Sequence, residues 1–318
     1  WADIKAAYHL FANQEEVIRV LNAEQPDIVY CCEHRIVLNT GEQINVQALL
    51  DERHVPYIGS CSDTLDLVLS KFFLKRKWIS SGVLTPPFCL AQKSGTQQQE
   101  LDALQQSAGF PFILKPDAEG NSRGLDVNSI VFDSTALETN LVELSTRYGP
   151  VLVEKYLGLS PDIREFTVAM IGNGRNKILM PAEITLIRKK SLRITTTDDK
   201  ERHFTQAIPV SDRDLHGRLV SVAEKAFDVA GVRDYSRCDL LLVDGDIHAI
   251  EINGQPMIPD KWFQACASGV GLDADQYLNA IFLAGIVRNI REGKPGLTIP
   301  PGMEIHLPER IFNLLNNS

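Results

Sequence analysis

An α/β protein of two or three domains is what this sequence predicts, on three observations. Short apolar runs alternate with amphipathic segments, the pattern of mixed strands and helices rather than of a bundle or a sandwich. The 318 residues exceed the roughly 100 to 150 of one domain, so packed domains around a cleft are expected. Two strong strand patterns, RCDLLLV and IHAIEIN, flank the turn Asp244-Gly245-Asp246, which reads as a β-hairpin late in the chain.

The elements follow in order. DIVYCC (27–32) reads as a buried strand, Val46 to Arg53 as a helix and PYIG (56–59) as a second strand, a βαβ-like unit whose parallel sheet needs cover on both faces. Ser62 is placed to cap a helix running to about Ser80, with Leu65, Val68, Leu69, Phe72 and Phe73 on one side and Gly82 past its end. Thr85-Pro86-Pro87 marks a boundary. A Gln-rich helix then precedes the strand FPFILKP (110–116), the glycine loop EGNSRG (119–124) and the strand SIVF. A helix capped by Ser134 and ended near Gly149 leads into the strand VLVEKYL (151–157), and REFTVAMIG (164–172) and KILMPAEITLI (177–187) read as long strands. Arg188 to His203 is polar and Thr-rich, the composition of a mobile loop. Ser211 is placed to cap a helix ended by Gly231, and a last helix from about Asp273 to Glu292 covers the sheet.

Composition narrows the classes of partner. A net charge of -9 with scattered Lys and Arg lacks the basic footprint of a nucleic-acid binder. No run approaches the ~18 to 20 apolar residues of a membrane span. Cys31, Cys32, Cys61, Cys89, Cys238 and Cys266 have no CxxC spacing and sit mostly among apolar residues, which suits reduced thiols and a cytoplasmic setting. The start WADIKAAYHLF has no signal-peptide pattern. It also lacks Met, so upstream residues are expected to be missing.

The hairpin carries the chemistry. Centred on Gly245, it pairs residues whose numbers sum to 490, which sets Asp239 opposite Glu251 and puts Arg237 and Asn253 on the same face. A two-residue turn would shift that register by one and break the alignment. The other face carries Cys238, Leu240, Leu242, Ile250 and Ile252, a credible core surface. Two facing carboxylates repel and need an offset. Two carboxylates and an amide oxygen suit Mg²⁺, especially where a nucleotide phosphate completes the shell. Arg237 beside them is a fixed donor for a phosphate or an oxyanion. A solvated hairpin face with incidental charges would show the same residues. Lys115, at a strand end, and Lys71, in a helix, are candidate phosphate cations, and Glu119, Gly120, Asn121 and Ser122 open a loop able to lay N-H groups on phosphate oxygens. Glu154, Lys155, Tyr156 and Leu157 end an apolar strand, where backbone groups and a carboxylate can read an adenine edge and ribose hydroxyls. Each of these, alone, also fits an ordinary exposed lysine, turn or strand end.

Together, GEQINVQALLDERHVPYIGS (41–60), LSKFFLKRKWISSGVLTPPF (69–88), FPFILKPDAEGNSRG, VLVEKYL, REFTVAMIGN, PAEI and RCDLLLVDGDIHAIEIN resemble, collinearly and over most of the chain, the ATP-grasp superfamily and within it the D-alanine-D-alanine ligase family. The resemblance implies three domains: an N-terminal α/β domain over 1–85 lacking its first strand, a central lid domain over 86–158 and a C-terminal catalytic domain over 159–318, with nucleotide between the last two. It implies an ATP-dependent carboxylate-amine ligase working through an acyl phosphate, with ATP and two Mg²⁺, or Mn²⁺, as cofactors. Lys71 and Lys115 would contact phosphates, Glu154, Lys155 and Leu157 would border the adenine, and Glu165 would meet the ribose. Asp239, Glu251 and Asn253 match the metal ligands, and Arg237 the arginine that stabilises the intermediates. A homodimer and amino-acid substrates are also implied.

The departures fall where substrate is chosen. The family's Thr-x-Pro-Gly-Met stretch and serine loop are replaced by Asn253-Gly254-Gln255-Pro256-Met257-Ile258-Pro259-Asp260-Lys261-Trp262. The 188–203 segment lacks the family's Lys-Tyr element and offers Arg188, Lys189, Lys190, Arg193 and Lys200 instead. His34 lies near the family's His-Gly pair and, with Gly254, Gln255 and Lys261, is a candidate substrate residue. A ligase with a non-standard acceptor is the expectation; a true D-alanine-D-alanine ligase and a non-catalytic nucleotide-binding regulator are its rivals.

Overall fold

The computed structural model describes residues 14–37, 43–91, 98–119, 124–187, 192–194 and 204–317. An N-terminal unit holds helix α1 (Gln14–Glu24), strand β1 (Val29–Tyr30), the short antiparallel pair β2 (Arg35–Val37) and β3 (Gln43–Asn45), helix α2 (Val46–Glu52) and strand β4 (Tyr57–Ile58). β1 and β4 pair in parallel, Val29 with Tyr57, as the βαβ-like reading expects. The strand is shorter than DIVYCC: only two of those residues pair.

The helix expected from Ser62 to Ser80 is two helices, α3 (Ser62–Leu69) and α4 (Lys71–Ser80). Ser70 between them is extended, and its hydroxyl accepts from Phe73 N. The break has a tertiary cause. The Asp117 carboxylate accepts from Phe72 N at 2.7 Å and from the Ser70 hydroxyl at 2.7 Å, an N-terminal anion of the kind helices favour. Ser62 caps nothing with its own side chain, since Cys61 is the first non-helical residue.

A four-stranded antiparallel sheet follows, in the order β5 (Phe88–Ala91), β8 (Val151–Lys155), β6 (Phe112–Pro116), β7 (Ile130–Val131). Helices α5 (Gln98–Ala108) and α6 (Ser134–Tyr148) cover one face, with Phe112, Leu114, Val151 and Val153 in the core. The α6 cap is Asp133 rather than Ser134; a carboxylate adds a charge that the helix N-terminus attracts. The same one-residue correction puts Asp212, not Ser211, at the start of α7 (Arg213–Ala230).

The third layer is a five-stranded antiparallel sheet in the order β11 (Thr205–Pro209), β10 (Asn176–Leu186), β9 (Arg164–Asn173), β12 (Tyr235–Val243), β13 (Asp246–Asn253). Strand periodicity sorts β9 cleanly. Phe166, Val168 and Met170 join a core with Trp78, Leu219 and Phe227 from α4 and α7. Ala169 and Ile171 face the opposite core, built with α8 (Lys261–Ser268), α9 (Ala274–Arg291) and α10 (Glu309–Asn316). Among the described residues no helix is long and apolar enough to cross a membrane. All six cysteines are free, four of them buried.

One buried ion pair fastens the N-terminal unit to this sheet. Arg288 of α9 donates Nε and a terminal nitrogen to the two oxygens of Asp234, both at 2.8 Å, and the same terminal nitrogen reaches the Tyr57 carbonyl at 2.7 Å. Asp234 also accepts from Gly59 N and Asn173 Nδ2. Burial pulls the Arg288 guanidinium downward, yet Asp234 outweighs it and holds it above the ordinary arginine value. Removing one partner strands the other charge in the interior. Asp234→Ala is expected to lower unfolding free energy by about 3 to 5 kcal/mol, read as a lower urea midpoint.

Candidate functional site

The hairpin reaches its predicted pairing by an unexpected route. Asp244 and Gly245 both have positive φ, 51° and 91°, and Val243 pairs Asp246, which makes a two-residue turn of the kind Asp-Gly favours. That turn alone would break the alignment of Asp239 with Glu251. A β-bulge between Asp239 and Leu240 leaves Ile250 unpaired and restores it: Asp239 pairs Glu251 and Arg237 pairs Asn253. The bulge also corrects the core face. Ile247 and Ala249 join Cys238, Leu240 and Ile252 in the interior, whereas Ile250 turns with Glu251 into the cleft.

That cleft opens between the four- and five-stranded sheets. Its walls contain Lys71, Lys115, Glu119, Glu154, Lys155, Tyr156, Leu157, Glu165, Asp239 and Glu251, ten of the residues singled out from sequence. Gly120, Asn121 and Ser122 lie outside the described residues.

Both signs of charge meet in the cleft. Lys71 Nζ donates to the Glu119 carbonyl at 2.5 Å and stands 3.8 Å from Glu251 Oε2. Lys115 Nζ donates to Glu154 Oε1 at 2.6 Å, and the other oxygen of Glu154 is 2.7 Å from Lys75 Nζ. Glu154 is 2% exposed and Lys75 0%. Burial pushes the Glu154 carboxyl up, but Lys115 and Lys75 outweigh it and hold it down at about 2. Burial pulls Lys75 down to about 8 despite Glu154. The Glu154 carboxylate is thus held between two ammonium groups. Lys155 likewise directs its ammonium to the carbonyls of Gly109 and Phe110, each at 3.0 Å.

On the opposite sheet, Thr167 donates its hydroxyl to Asp239 Oδ1 at 2.6 Å. Arg237 and Asn253 stand beyond the cleft lining on the same sheet face. Arg237 is buried, its Nε 3.4 Å from Asp239 and a terminal nitrogen 3.1 Å from Asp260 Oδ2, with the Trp262 ring 4.9 Å from its carbon. Burial lowers its proton affinity, but Asp239 and Asp260 reverse that and leave it above the ordinary value. Asn253 Oδ1 accepts from Gln255 N at 3.2 Å. Among the described residues no group of three or more His, Cys, Asp or Glu forms a self-sufficient metal cage. Two carboxylates and an amide are a partial set of hard oxygens, which fits a Mg²⁺ that takes its remaining ligands from phosphate and water.

The four substrate candidates are not gathered in the cleft lining. His34 hydrogen-bonds through its two ring nitrogens with Gln47 Oε1 and Asp66 Oδ1, at 2.9 and 2.7 Å, and Gln47 Nε2 donates to Gln255 Oε1 at 3.3 Å. Gln255 in turn donates to the Cys31 carbonyl. Gly254 is a close-packing position: a Cβ there would meet Val68 Cγ2 at 2.7 Å and Leu65 Cδ2 at 2.9 Å. Lys261 is exposed at the start of α8. Arg193 and Trp262 do line the cleft, and an Arg193 terminal nitrogen lies 3.5 Å from Glu165. Sequence reasoning missed Lys75, Asp117 and Thr167. Lys75 left a signal: it falls with Lys71, Leu74 and Trp78 on the buried side of α4, where a lysine needs a partner.

Sheets and cleft of this kind occur in solved ATP-grasp ligases. A Bacillus anthracis D-alanine-D-alanine ligase complexed with ATP superposes with a TM-score of 0.69 at 22% identity, over 88% of this chain and 86% of that one. The Enterococcus faecalis VanG D-Ala:D-Ser ligase gives 0.64 at 18% identity, over 81% and 73%. The fold is therefore that of these enzymes, the ATP-grasp fold. A family model described as D-ala D-ala ligase C-terminus matches residues 78–282, and the D-alanine-D-alanine ligase of Geobacter sulfurreducens is 28% identical over 241 residues, 75% of this chain and 70% of the relative. The chain belongs to the D-alanine-D-alanine ligase family, whose members use ATP and Mg²⁺.

The depressed Glu154 value carries a pH signature. A carboxylate ionised more readily in the folded state stabilises above its ordinary value and loses that contribution as pH falls. Glu154→Gln is expected to be about 3 to 5 kcal/mol less stable than the parent at pH 7. The gap should close as pH falls from about 4.5 toward about 2, read by urea denaturation across that range.

Proposed function

We propose that the enzyme joins the carboxylate of one D-amino acid to the amine of a second at this cleft, with D-alanine as the donor. The approach of Lys71 to within 3.8 Å of Glu251 carries the reading, because it sets a phosphate-seeking cation against a metal-seeking carboxylate. Lys71 and Lys115 would hold the ATP phosphates. The strand end from Glu154 to Leu157 would border the adenine and Glu165 the ribose. Asp239, Glu251 and Asn253 would hold Mg²⁺, two ions in this reading, which would supply Lewis-acid screening of the phosphate charge.

A donor carboxylate oxygen attacks the γ-phosphorus, ADP leaves and an acyl phosphate forms, while the lysines offset charge gathering on the transferred oxygens. The acceptor amine then attacks the acyl carbon. Arg237 donates N-H to the tetrahedral oxyanion, and phosphate departs with the C-O electron pair and takes up the proton that the amine loses. Thr167 keeps Asp239 aimed by occupying one of its oxygens.

D-alanine as donor is supported by what the Geobacter sulfurreducens and Bacillus anthracis relatives are named for. An acceptor other than D-alanine is a second reading, favoured by Trp262 over the Arg237 guanidinium and Asp260 paired with it. These put an indole and a carboxylate beside the residue that meets the intermediate. The VanG neighbour is named as a D-Ala:D-Ser ligase, which supports this second reading.

Mg²⁺-dependent release of ADP and phosphate, measured with D-alanine alone and paired with D- and L-amino acids and simple amines, with products read by mass spectrometry, tests both readings. D-Ala-D-Ala as main product supports the first, and a mixed product only with another amine supports the second. ATP binding without ADP formation for any pair points to a regulator. Asp239→Asn and Glu251→Gln are each expected to cut turnover at least about 100-fold, some 3 kcal/mol of lost transition-state stabilisation, with the fold intact by circular dichroism. Thr167→Val is expected to weaken Mg²⁺ about 10-fold, as loss of a residue that orients a ligand does, read as a higher Mg²⁺ concentration for half-maximal rate.

A further inference from the structure

Lys75 takes no part in the reading above, and it does not reach the cleft lining. It is nonetheless a fully buried ammonium, and besides the rings of Trp78 on its own helix and Phe88 on β5 its polar partners come from three separate parts of the fold. Its Nζ is 2.7 Å from Glu154 Oε2 on β8. It donates to the Thr85 hydroxyl at 2.7 Å and to the Ala249 carbonyl at 3.5 Å. Ala249 is two residues from Glu251 on β13. One side chain from α4 thereby touches the strand under Lys115's partner, the segment between the sheets and the strand that carries a metal ligand.

The charge count explains why an ammonium stands there. Glu154 is buried and would bind Lys115 alone as a neutral pair, leaving Lys115 little attraction for a phosphate. A second ammonium on the far oxygen leaves the three groups with a net positive charge, and Lys115 is the member that lines the cleft. Lys75 also keeps the carboxylate from rotating, since each oxygen is held by a different lysine.

We propose that Lys75 is a positioning residue for nucleotide binding: acting through Glu154, it presents Lys115 to the ATP phosphates and keeps that site cationic. The proposal rests on the reading that ATP phosphates lie against Lys115. It gives Lys75 no contact with substrate, so its effect passes through Lys115 and falls on ATP affinity more than on the chemical step.

The test is a double-mutant cycle on the full chain. Lys75→Met and Lys115→Met, singly and together, are compared with the parent for KM of ATP, kcat and direct binding of MgATP by calorimetry. Lys75→Met alone is expected to raise KM and the dissociation constant for MgATP at least tenfold, with kcat changed less than threefold. In the Lys115→Met background it should add less than twofold. Equal effects of Lys75→Met in both backgrounds, or a loss confined to kcat, overturn the proposal. Thr85→Val keeps shape while removing a hydroxyl partner, and decides the matter if Lys75→Met does not fold. A twofold to fivefold rise in MgATP dissociation constant that vanishes with Lys115→Met supports the proposal, and an unchanged or additive value overturns it. Parent protein that binds no MgATP defeats the underlying reading of the cleft, an outcome distinct from additive mutants in an active parent.

Discussion

A single unpaired residue in a hairpin decides whether this molecule has a facing carboxylate pair in its cleft. The two-residue turn at Asp244 and Gly245 imposes one register on β12 and β13, and the bulge at Ile250 shifts it by one position a few residues later. Because side chains alternate with period two, the pair on either side of the bulge would otherwise face opposite ways. With the bulge, Asp239 and Glu251 sit opposite one another beside Thr167. Without it, Glu251 would pair Cys238 and turn toward the core that Trp78 and Phe227 fill. The tight turn and the site coexist only because the extra residue separates them.

Charge in the cleft is arranged by the same economy of partners. Lys71 is carried on a helix that begins where Asp117 accepts backbone and hydroxyl protons, so the helix break sets where that ammonium stands. Lys115 is carried on a strand whose neighbour supplies Glu154. On the other sheet, Arg237 is held by two carboxylates and an indole, and Asp239 by a threonine. Each of these charged groups is held by a second residue drawn from a different element, so their arrangement depends on the packing of the sheets as a whole.

The segment after the hairpin has a structural duty alongside any substrate role. Gly254 lets the chain pass within van der Waals range of Leu65 and Val68, and Gln255 bonds to Gln47 and the Cys31 carbonyl. Asp260 caps α8 through Phe263 N while its other oxygen meets Arg237. This segment is therefore tied to the seam between the N-terminal unit and the large sheet, where changing one side chain moves others.

Local chemistry made much of this legible from residues alone. Alternation marked β9 and β12, Asp-Gly marked the hairpin, and lysines at a strand end and on a helix marked the cationic wall. These signals depend on neighbours within a few positions in the chain. Contacts between distant residues were not readable that way: Asp117 breaking a helix at Ser70, Lys75 finding Glu154, Thr167 finding Asp239, and His34 turning to Gln47 and Asp66. The sequence by itself determined the strand and helix periods and the kinds of charge available, because these follow from steric and hydrophobic patterns along the backbone. Only the tertiary structure decided which charges meet, because a buried ion takes whichever partner the packed sheets bring within about 3 Å.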